Sequence, residues 1–485
     1  MVRQRYRWLA LFVAALLSCA VNPVSRRPEL VLISHERELE IGREESRKVE
    51  ESMGLVRDPN LALWVESVGM RLAGHSPRRN LPYHFYVVDS ADANAFALPG
   101  GHVYVTRGLL ALVNQEDELA SILGHEIGHV AARHSVRRMT VAAPFAVLTG
   151  IPALLTGIVS PALGNTIAGA GQLAGGLVLA PYSRDQEREA DRLGMELAAL
   201  AGWDPASMSS FLSTLERDEQ ASGATRRASW LDTHPATPER VRQSAARADE
   251  LERGPRAPDS GNRTALVEKL DGLLLGDDPS QGVFVDSLFL HPDLDLAVRF
   301  PAGWETYNDR AYVAAVAPDE EAFVSLHVAG EGDDPLDGAR ADGVGPELEA
   351  ELEGLTLAGL PARRLTVERR GKTLVVTWLA RQGLVYRFSG VSTSDAYEAH
   401  RATFASFVAS VRGLSEVDRE RVREIRLRGR RAEAGETLPD LLARHASSWT
   451  PAEAAIANAL DADVTLHEGQ LVKMAIPRVY RGGER

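Results

Sequence analysis

The 485-residue chain carries 54 Lys and Arg against 67 Asp and Glu, and this net charge of -13 excludes nucleic-acid binding and broad adhesion to an anionic membrane. With 45% hydrophobic and 25% charged residues there is apolar material for packed cores, so a largely disordered chain is excluded too, and the length suggests two to four domains. The single cysteine, Cys19, excludes an intramolecular disulfide.

At the N-terminus, Arg3, Arg5 and Arg7 precede the apolar run Trp8 to Leu17, which is too short to span a bilayer and reads as a targeting segment. It ends in Leu16-Leu-Ser-Cys-Ala20, which resembles a bacterial lipobox. That resemblance implies a lipoprotein signal over 1–19, lipidation of Cys19 and a membrane anchor. Ala20, where an aspartate would signal inner-membrane retention, points to the periplasmic face of the outer membrane. After a short tether, His35 to Met53 and Pro59 to Leu72 read as amphipathic helices and Tyr83 to Val88 as a strand. Ala95 to Val105 predicts a hairpin around Leu98-Pro-Gly-Gly101. An exposed strand there offers the main chain of Ala95 and Phe96 to an extended peptide. Asn94 either orients the substrate backbone or stabilises a turn.

Glu116 to His134 has helical periodicity and contains His125-Glu-Ile-Gly-His129. Histidines four apart lie one turn above each other on one helix face, so both imidazoles reach one ion. Glu126 follows the first of them, where its carboxylate reaches water at the metal rather than the metal itself. Two nitrogen ligands, one general base and one place for water describe a zinc hydrolase with one Zn²⁺ per chain. The bland alternative is a buried helix with two satisfied histidines. A third histidine six residues after the second is absent, because Ser135 stands there, and His134 turns away from the ligand face.

A carboxylate on a later helix fills the gap. In Tyr182-Ser-Arg-Asp-Gln-Glu187-Arg-Glu-Ala-Asp191, Glu187 and Asp191 share a face at i,i+4. Glu187 would bind the metal, and Asp191 would accept the free ring N–H of a ligating histidine. Glu189 is rotated about 200° away and cannot share the ligand role. Between the two helices, 139–180 is almost uncharged and broken by glycines and prolines. It predicts a helical lid over the cleft or, as the alternative, a membrane-inserted stretch.

Gly124-His-Glu-Ile-Gly-His129 followed by Glu187-Arg-Glu-Ala-Asp191 resembles the HtpX/BepA-like zinc metallopeptidases, gluzincin relatives of the CAAX prenyl proteases. Asn94 to Val105 is similar to that family's edge strand and hairpin, and Thr233-His-Pro-Ala-Thr-Pro-Glu-Arg240 to its His-Pro segment. The resemblance covers roughly residues 30 to 245. It implies protein or peptide substrates, namely misfolded or stalled envelope proteins. His234 would approach the metal as an oxyanion stabiliser or a gate over the open position, or else simply stack on Pro235. Arg240 would bind a substrate carbonyl or brace the turn.

Arg253 to Arg263 opens a Pro/Gly-rich linker, 253–282, after a protease domain over 30–252. Strands at Ala311 to Val316, Phe323 to Val328, Leu360 to Val367, Thr373 to Arg381 and Leu384 to Ser389, then a helix from Tyr397 to Val411, predict an antiparallel α+β accessory domain over 283–413. It resembles small domains of the PsbP/Mog type and shows no catalytic pattern. The last stretch, 424–478, resembles a LysM repeat of βααβ order, which implies binding of peptidoglycan. The fold class is therefore multidomain α+β: a mainly helical gluzincin-type protease with a small edge sheet, an antiparallel accessory domain and a LysM-like module. The expected function is a periplasmic, lipid-anchored zinc endopeptidase. The rival is a non-proteolytic assembly chaperone or glycan-tethered scaffold with a latent zinc site.

Overall fold

A computed structural model describes residues 19–30, 32–139, 182–222, 230–235, 238–308, 310 and 312–482. The targeting segment and nearly all of the expected lid, 139–180, lie outside the described residues. The chain forms two compact units. The first takes in the described residues up to 139, those from 182 to 276, and Ile425–Pro477; the second takes in those from 277 to 424 and from 478 to 482.

The first unit begins with a hairpin of β1 (Cys19–Val21) and β2 (Pro28–Leu30). Helix α1 (His35–Ser52) is capped by Ser34, and α2 (Pro59–Ala73) by Asp58, each side chain accepting from backbone N–H groups of the first turn. A three-stranded sheet follows: β3 (His84–Val88), β4 (Ala95–Leu98) and β5 (His102–Thr106), with β5 central. β4 pairs antiparallel with β5 through the Pro-Gly-Gly turn, β3 pairs parallel with it, and β4 is an edge.

After the short α3 (Arg107–Leu112) comes α4 (Glu116–Ala131), every residue of which is buried. Its first turn is acidic, which suits the positive end of the helix dipole. Each of those three carboxylates also ties down another segment. Glu116 accepts from the indole N–H of Trp64 and of Trp203; Asp117 accepts from Ser260 Oγ and the Gly261 N–H; Glu118 accepts from Ser210 Oγ and the Asn114 N–H. So the helix that bears the two histidines is fixed at its start by buried charge-assisted bonds.

Helix α5 (Arg184–Leu200) starts with a reciprocal capping box between Ser183 and Gln186. It packs on α4 through small residues. A β-carbon on Gly124 would lie 2.8 Å from the Gly194 carbonyl oxygen, and one on Gly128 would lie 2.9 Å from that of Ala190. Backbone therefore meets backbone where the two functional helices cross. Helix α6 (Ser207–Ser222), the single turn α7 (Trp230–Thr233), α8 (Pro238–Ala248), α9 (Arg263–Leu270) and the short strand β6 (Leu274–Leu275) complete this part. The stretch expected as a linker is laid against the protease helices. The Gly254 N–H bonds to Ala199 O, the Ala257 N–H to Gly202 O, and 263–270 is helical.

In the second unit, β7 (Val283–Val285), β8 (Leu288–His291) and β9 (Leu296–Arg299) form one antiparallel sheet. A seven-stranded antiparallel sheet has the order β10-β11-β12-β16-β15-β14-β13. Its strands are β10 (Glu305–Asn308), β11 (Val313–Val316), β12 (Ala322–Glu331), β13 (Glu353–Leu357), β14 (Leu360–Arg369), β15 (Lys372–Arg381) and β16 (Leu384–Thr393). Successive side chains point to opposite faces, and along the central strands both faces are apolar. Phe388, Tyr386 and Leu379 pack with Phe404 and Phe407 of the helix Tyr397–Ala409; Trp378, Val376 and Val385 pack with Ala339 of the helix Pro335–Ala341.

The C-terminal stretch has the expected order of strand (Arg423–Arg431), helices (Leu438–Arg444 and Pro451–Asn458) and strand (Leu471–Val479). It was expected as a module of its own. Ile425–Pro477 instead belongs to the first unit, where Leu427, Ile456, Ala457 and Ala475 join the protease core. The reason is a buried lysine: Lys473 Nζ donates to Ala111 O at 2.7 Å and Val113 O at 2.8 Å, satisfying carbonyls at the end of α3. Among the described residues, no helix is long and apolar enough to cross a membrane.

Candidate active site

His125 and His129 sit one turn apart on α4 and both are fully buried. Their Nε2 atoms lie 2.9 Å apart. Behind them, each Nδ1 is engaged: that of His125 with Asp191 Oδ1 at 2.8 Å, that of His129 with His134 Nδ1 at 2.9 Å. From α5, Glu187 brings Oε1 to 3.3 Å from His129 Nε2 and Oε2 to 3.7 Å from His125 Nε2. His234, just past α7, places Nδ1 3.0 Å from Glu187 Oε1 and 3.2 Å from His125 Nε2. One ligand atom from each of these four residues falls within 4.8 Å of all the others.

The set fits a metal ion. Bonds of about 2.0–2.1 Å to a tetrahedral ion would hold donor atoms roughly 3.3 Å apart, the spacing seen here. Burial holds His129 well below the ordinary imidazole range, hence neutral. Burial opposes charge on Glu187 and Asp191, yet His234 and His129 around the first, and His125 with Arg240 around the second, keep both carboxyls below their usual values. His125 is also penalised by burial, but Asp191 and Glu187 hold it above its ordinary pKa.

Glu126 is buried beside the cluster. Its Oε1 accepts from the Trp230 indole N–H at 3.0 Å and lies 3.6 Å from His234 Nε2, while Oε2 has no hydrogen-bond partner among the described residues. An orphaned carboxylate oxygen next to convergent donors is costly unless it meets a proton-bearing group there. The expected partners are thus brought together: His125, His129, Glu187, Asp191, Glu126 and His234. The His234 ring stacks on Trp230, with centroids 4.6 Å apart.

Arg240 is committed to bracing. Its Nε and Nη2 bind the two Asp191 oxygens, and Nη1 reaches Glu187 Oε2 and the carbonyls of His234 and Pro235. Asn94 closes β4 onto β5 through its backbone, and its side-chain Oδ1 is buried without a partner among the described residues. Phe96 packs its ring on Tyr104 and Ala95 is fully buried, so only their main chain could meet a peptide. Sequence reasoning missed Trp230, although it stands four residues before His234, one helical turn away. It also missed Tyr182, whose ring stacks on His129 with centroids 3.9 Å apart.

Two imidazoles from one helix turn, a carboxylate from a second helix and an adjacent free carboxylate define a centre of the metallopeptidase class. Residues 59–248 match Peptidase family M48, so this chain carries a metallopeptidase domain of the HtpX/BepA-like kind. It is 34% identical over 222 residues to the beta-barrel assembly-enhancing protease of Escherichia coli (strain K12), a match covering 44% of each chain. It is 38% identical over 156 residues to the mitochondrial metalloendopeptidase OMA1 of Bos taurus, covering 31% of this chain and 29% of that one. The chain thus spans under half the length of these curated relatives. A solved cyanobacterial PsbP from Synechocystis covers 27% of this chain and 95% of its own, at 11% identity and a TM-score of 0.21, too low to establish a shared fold.

Proposed function

We propose that this protein is a zinc-dependent endopeptidase that cleaves unfolded or misassembled envelope proteins. The observation that carries the reading is the convergence of the His125 and His129 Nε2 atoms on the Glu187 carboxylate, with Glu126 Oε2, unpaired among the described residues, alongside. His125, His129 and Glu187 would hold one Zn²⁺. When bound, the ion would polarise a peptide carbonyl and lower the pKa of water to about 7. Glu126 takes the proton of the attacking water on Oε2 and delivers it to the leaving amine nitrogen. Trp230 keeps the other oxygen of that carboxylate in place. The β4 edge and the Asn94 amide oxygen would hold an extended substrate backbone across the site.

The relatives' names support an envelope role, and the Leu16-to-Ala20 motif supports a Cys19 lipid anchor at the periplasmic face of the outer membrane. The antiparallel domain would position substrates, and the C-terminal βααβ segment would contact peptidoglycan. A second reading is favoured by one feature. His234 sits where the fourth ligand would be, so the centre as drawn is closed, which suits a latent site in an assembly chaperone. In the enzyme reading His234 is a gate that leaves to admit water.

Glu126→Gln separates the two. It is expected to keep its zinc, measured by elemental analysis, while casein cleavage falls by about 10²–10⁴-fold, the range for losing a general base. Equal cleavage by the two proteins would refute the role of Glu126. Restoration of an envelope defect by the inactive variant would favour the chaperone.

A further inference from the structure

Behind His129, on the side away from the ligand cluster, three further residues form a hydrogen-bonded line. His134 Nδ1 faces His129 Nδ1 at 2.9 Å, and His134 Nε2 faces Glu189 Oε2 at 3.1 Å. Asn22, in the turn of the β1–β2 hairpin, directs Nδ2 to the same Glu189 oxygen at 3.4 Å and to Glu29 Oε1 at 3.3 Å. The Asn22 side chain is buried, and its Oδ1 accepts from the N–H groups of Val24 and Ser25, which fixes the direction of the amide. Arg137 Nη1 also reaches Glu29, tying the hairpin to the segment that follows α4.

The chemistry of the line orders its protons. A carboxylate only accepts, so His134 carries its proton on Nε2. Its Nδ1 is then a bare acceptor, which requires His129 to carry its own proton on Nδ1. That leaves His129 Nε2 with a free lone pair, aimed at His125 Nε2 and Glu187. Asp191 does the same for His125 directly; for His129 the carboxylate acts at one remove, through a second imidazole.

We infer that Asn22, Glu189 and His134 are positioning residues for the metal, so that the N-terminal hairpin is part of the support of the metal centre and sets the tautomer of His129. This rests on the zinc reading of the site. It gives Glu189 a role although it points away from the ligand face, and it gives His134 one although its spacing disqualifies it as a ligand.

The test is zinc affinity of the full-length protein, measured by competition with a chromophoric chelator, beside the melting temperature of the same protein stripped of metal. Glu189→Leu is expected to weaken zinc binding by about 10–100-fold, as loss of a partner behind a ligating histidine does. Glu189→Gln, whose amide oxygen still accepts, should stay within about threefold of wild type on the same grounds. Asn22→Ala should fall between them. The metal-free melting temperature should match wild type for Glu189→Gln and fall modestly for Glu189→Leu, which leaves the buried His134 Nε2–H without its acceptor. His134→Phe is the more direct change but replaces a buried group, so the Glu189 pair carries the decision. Zinc affinity of Glu189→Leu equal to wild type would overturn the inference. So would a loss that Glu189→Gln does not restore and that tracks a lower metal-free melting temperature. A wild-type protein that binds no zinc would instead overturn the zinc reading, and this inference with it.

Discussion

Trp230 shows how much one buried donor can do at this centre. Its indole N–H is the hydrogen-bond partner of Glu126 Oε1, its face supports His234, and its ring meets His125 edge-to-face at a centroid distance of 5.0 Å. Trp230→Phe keeps a ring there and removes the donor. A hydrogen bond to a charged group is worth about 1.5–3 kcal/mol, so kcat on a peptide substrate is expected to drop by about tenfold or more with zinc content unchanged. An unaltered kcat would mean that Glu126 is oriented by other contacts. Arg240 teaches the complementary lesson. Read as a lone cation near a cleft it could take a substrate carbonyl, but two carboxylates and two backbone carbonyls already occupy it.

Among the elements, the crossing of α4 and α5 decides whether the ligands meet. A β-carbon on Gly194 would lie 2.6 Å from the His125 backbone nitrogen, so any side chain there must push the helices apart. Gly194→Val is expected to destabilise the first unit by about 1–3 kcal/mol, the usual cost of overpacking, and to lower the zinc bound per chain. Urea unfolding and elemental analysis read the two effects. A stable protein with full zinc would show that the close approach is dispensable. In the second unit, the short helix Glu416–Arg421 is closed by a capping box between Ser415 and Asp418. Arg412, bonded to both Asp418 oxygens, holds that carboxyl well below the usual range. A depressed folded-state pKa gives stability that is present above the unfolded value, about 3.9, and lost as pH falls below it. Thermal melting followed from roughly pH 5 to pH 2 should therefore fall less steeply for Asp418→Asn than for wild type. Parallel curves would remove Asp418 from the acid limb.

For the molecule as a whole, the C-terminal segment and the protease helices are one folding unit, and Lys473 is the clearest sign of it. Its ammonium is wholly buried, which disfavours the charged form, yet two carbonyls at the end of α3 accept from it. Lys473→Met would leave both carbonyls unpaired, at about 1–3 kcal/mol each, against relief from burying a charge. A net loss of about 2 kcal/mol in a urea titration of the full-length protein is expected from that balance. An unchanged midpoint would mean that desolvation cancels the bonds. Asn458 makes the same point, because its amide spends its bonds on Lys473, Ala454 and Arg263 within the fold.

Periodicity and spacing determined the local chemistry by themselves. Histidines four apart on a helix share a face whatever the surroundings, and Glu187 and Asp191 share one for the same reason. The strands of 360–389 were legible because strands covered on both faces read as short runs rich in apolar and β-branched residues. Short edge strands such as Glu305–Asn308 and Glu353–Leu357 were not, since four or five partly exposed residues are too few to form such a run. Distance in the chain hid the rest. Nothing local to Trp230, His134 or Lys473 says which carboxylate, imidazole or carbonyl will be opposite. Tertiary packing alone decided that 107 residues could lie between Glu126 and His234 yet leave them 3.6 Å apart, because hydrogen-bond partners are chosen by the fold's geometry and not by sequence neighbours.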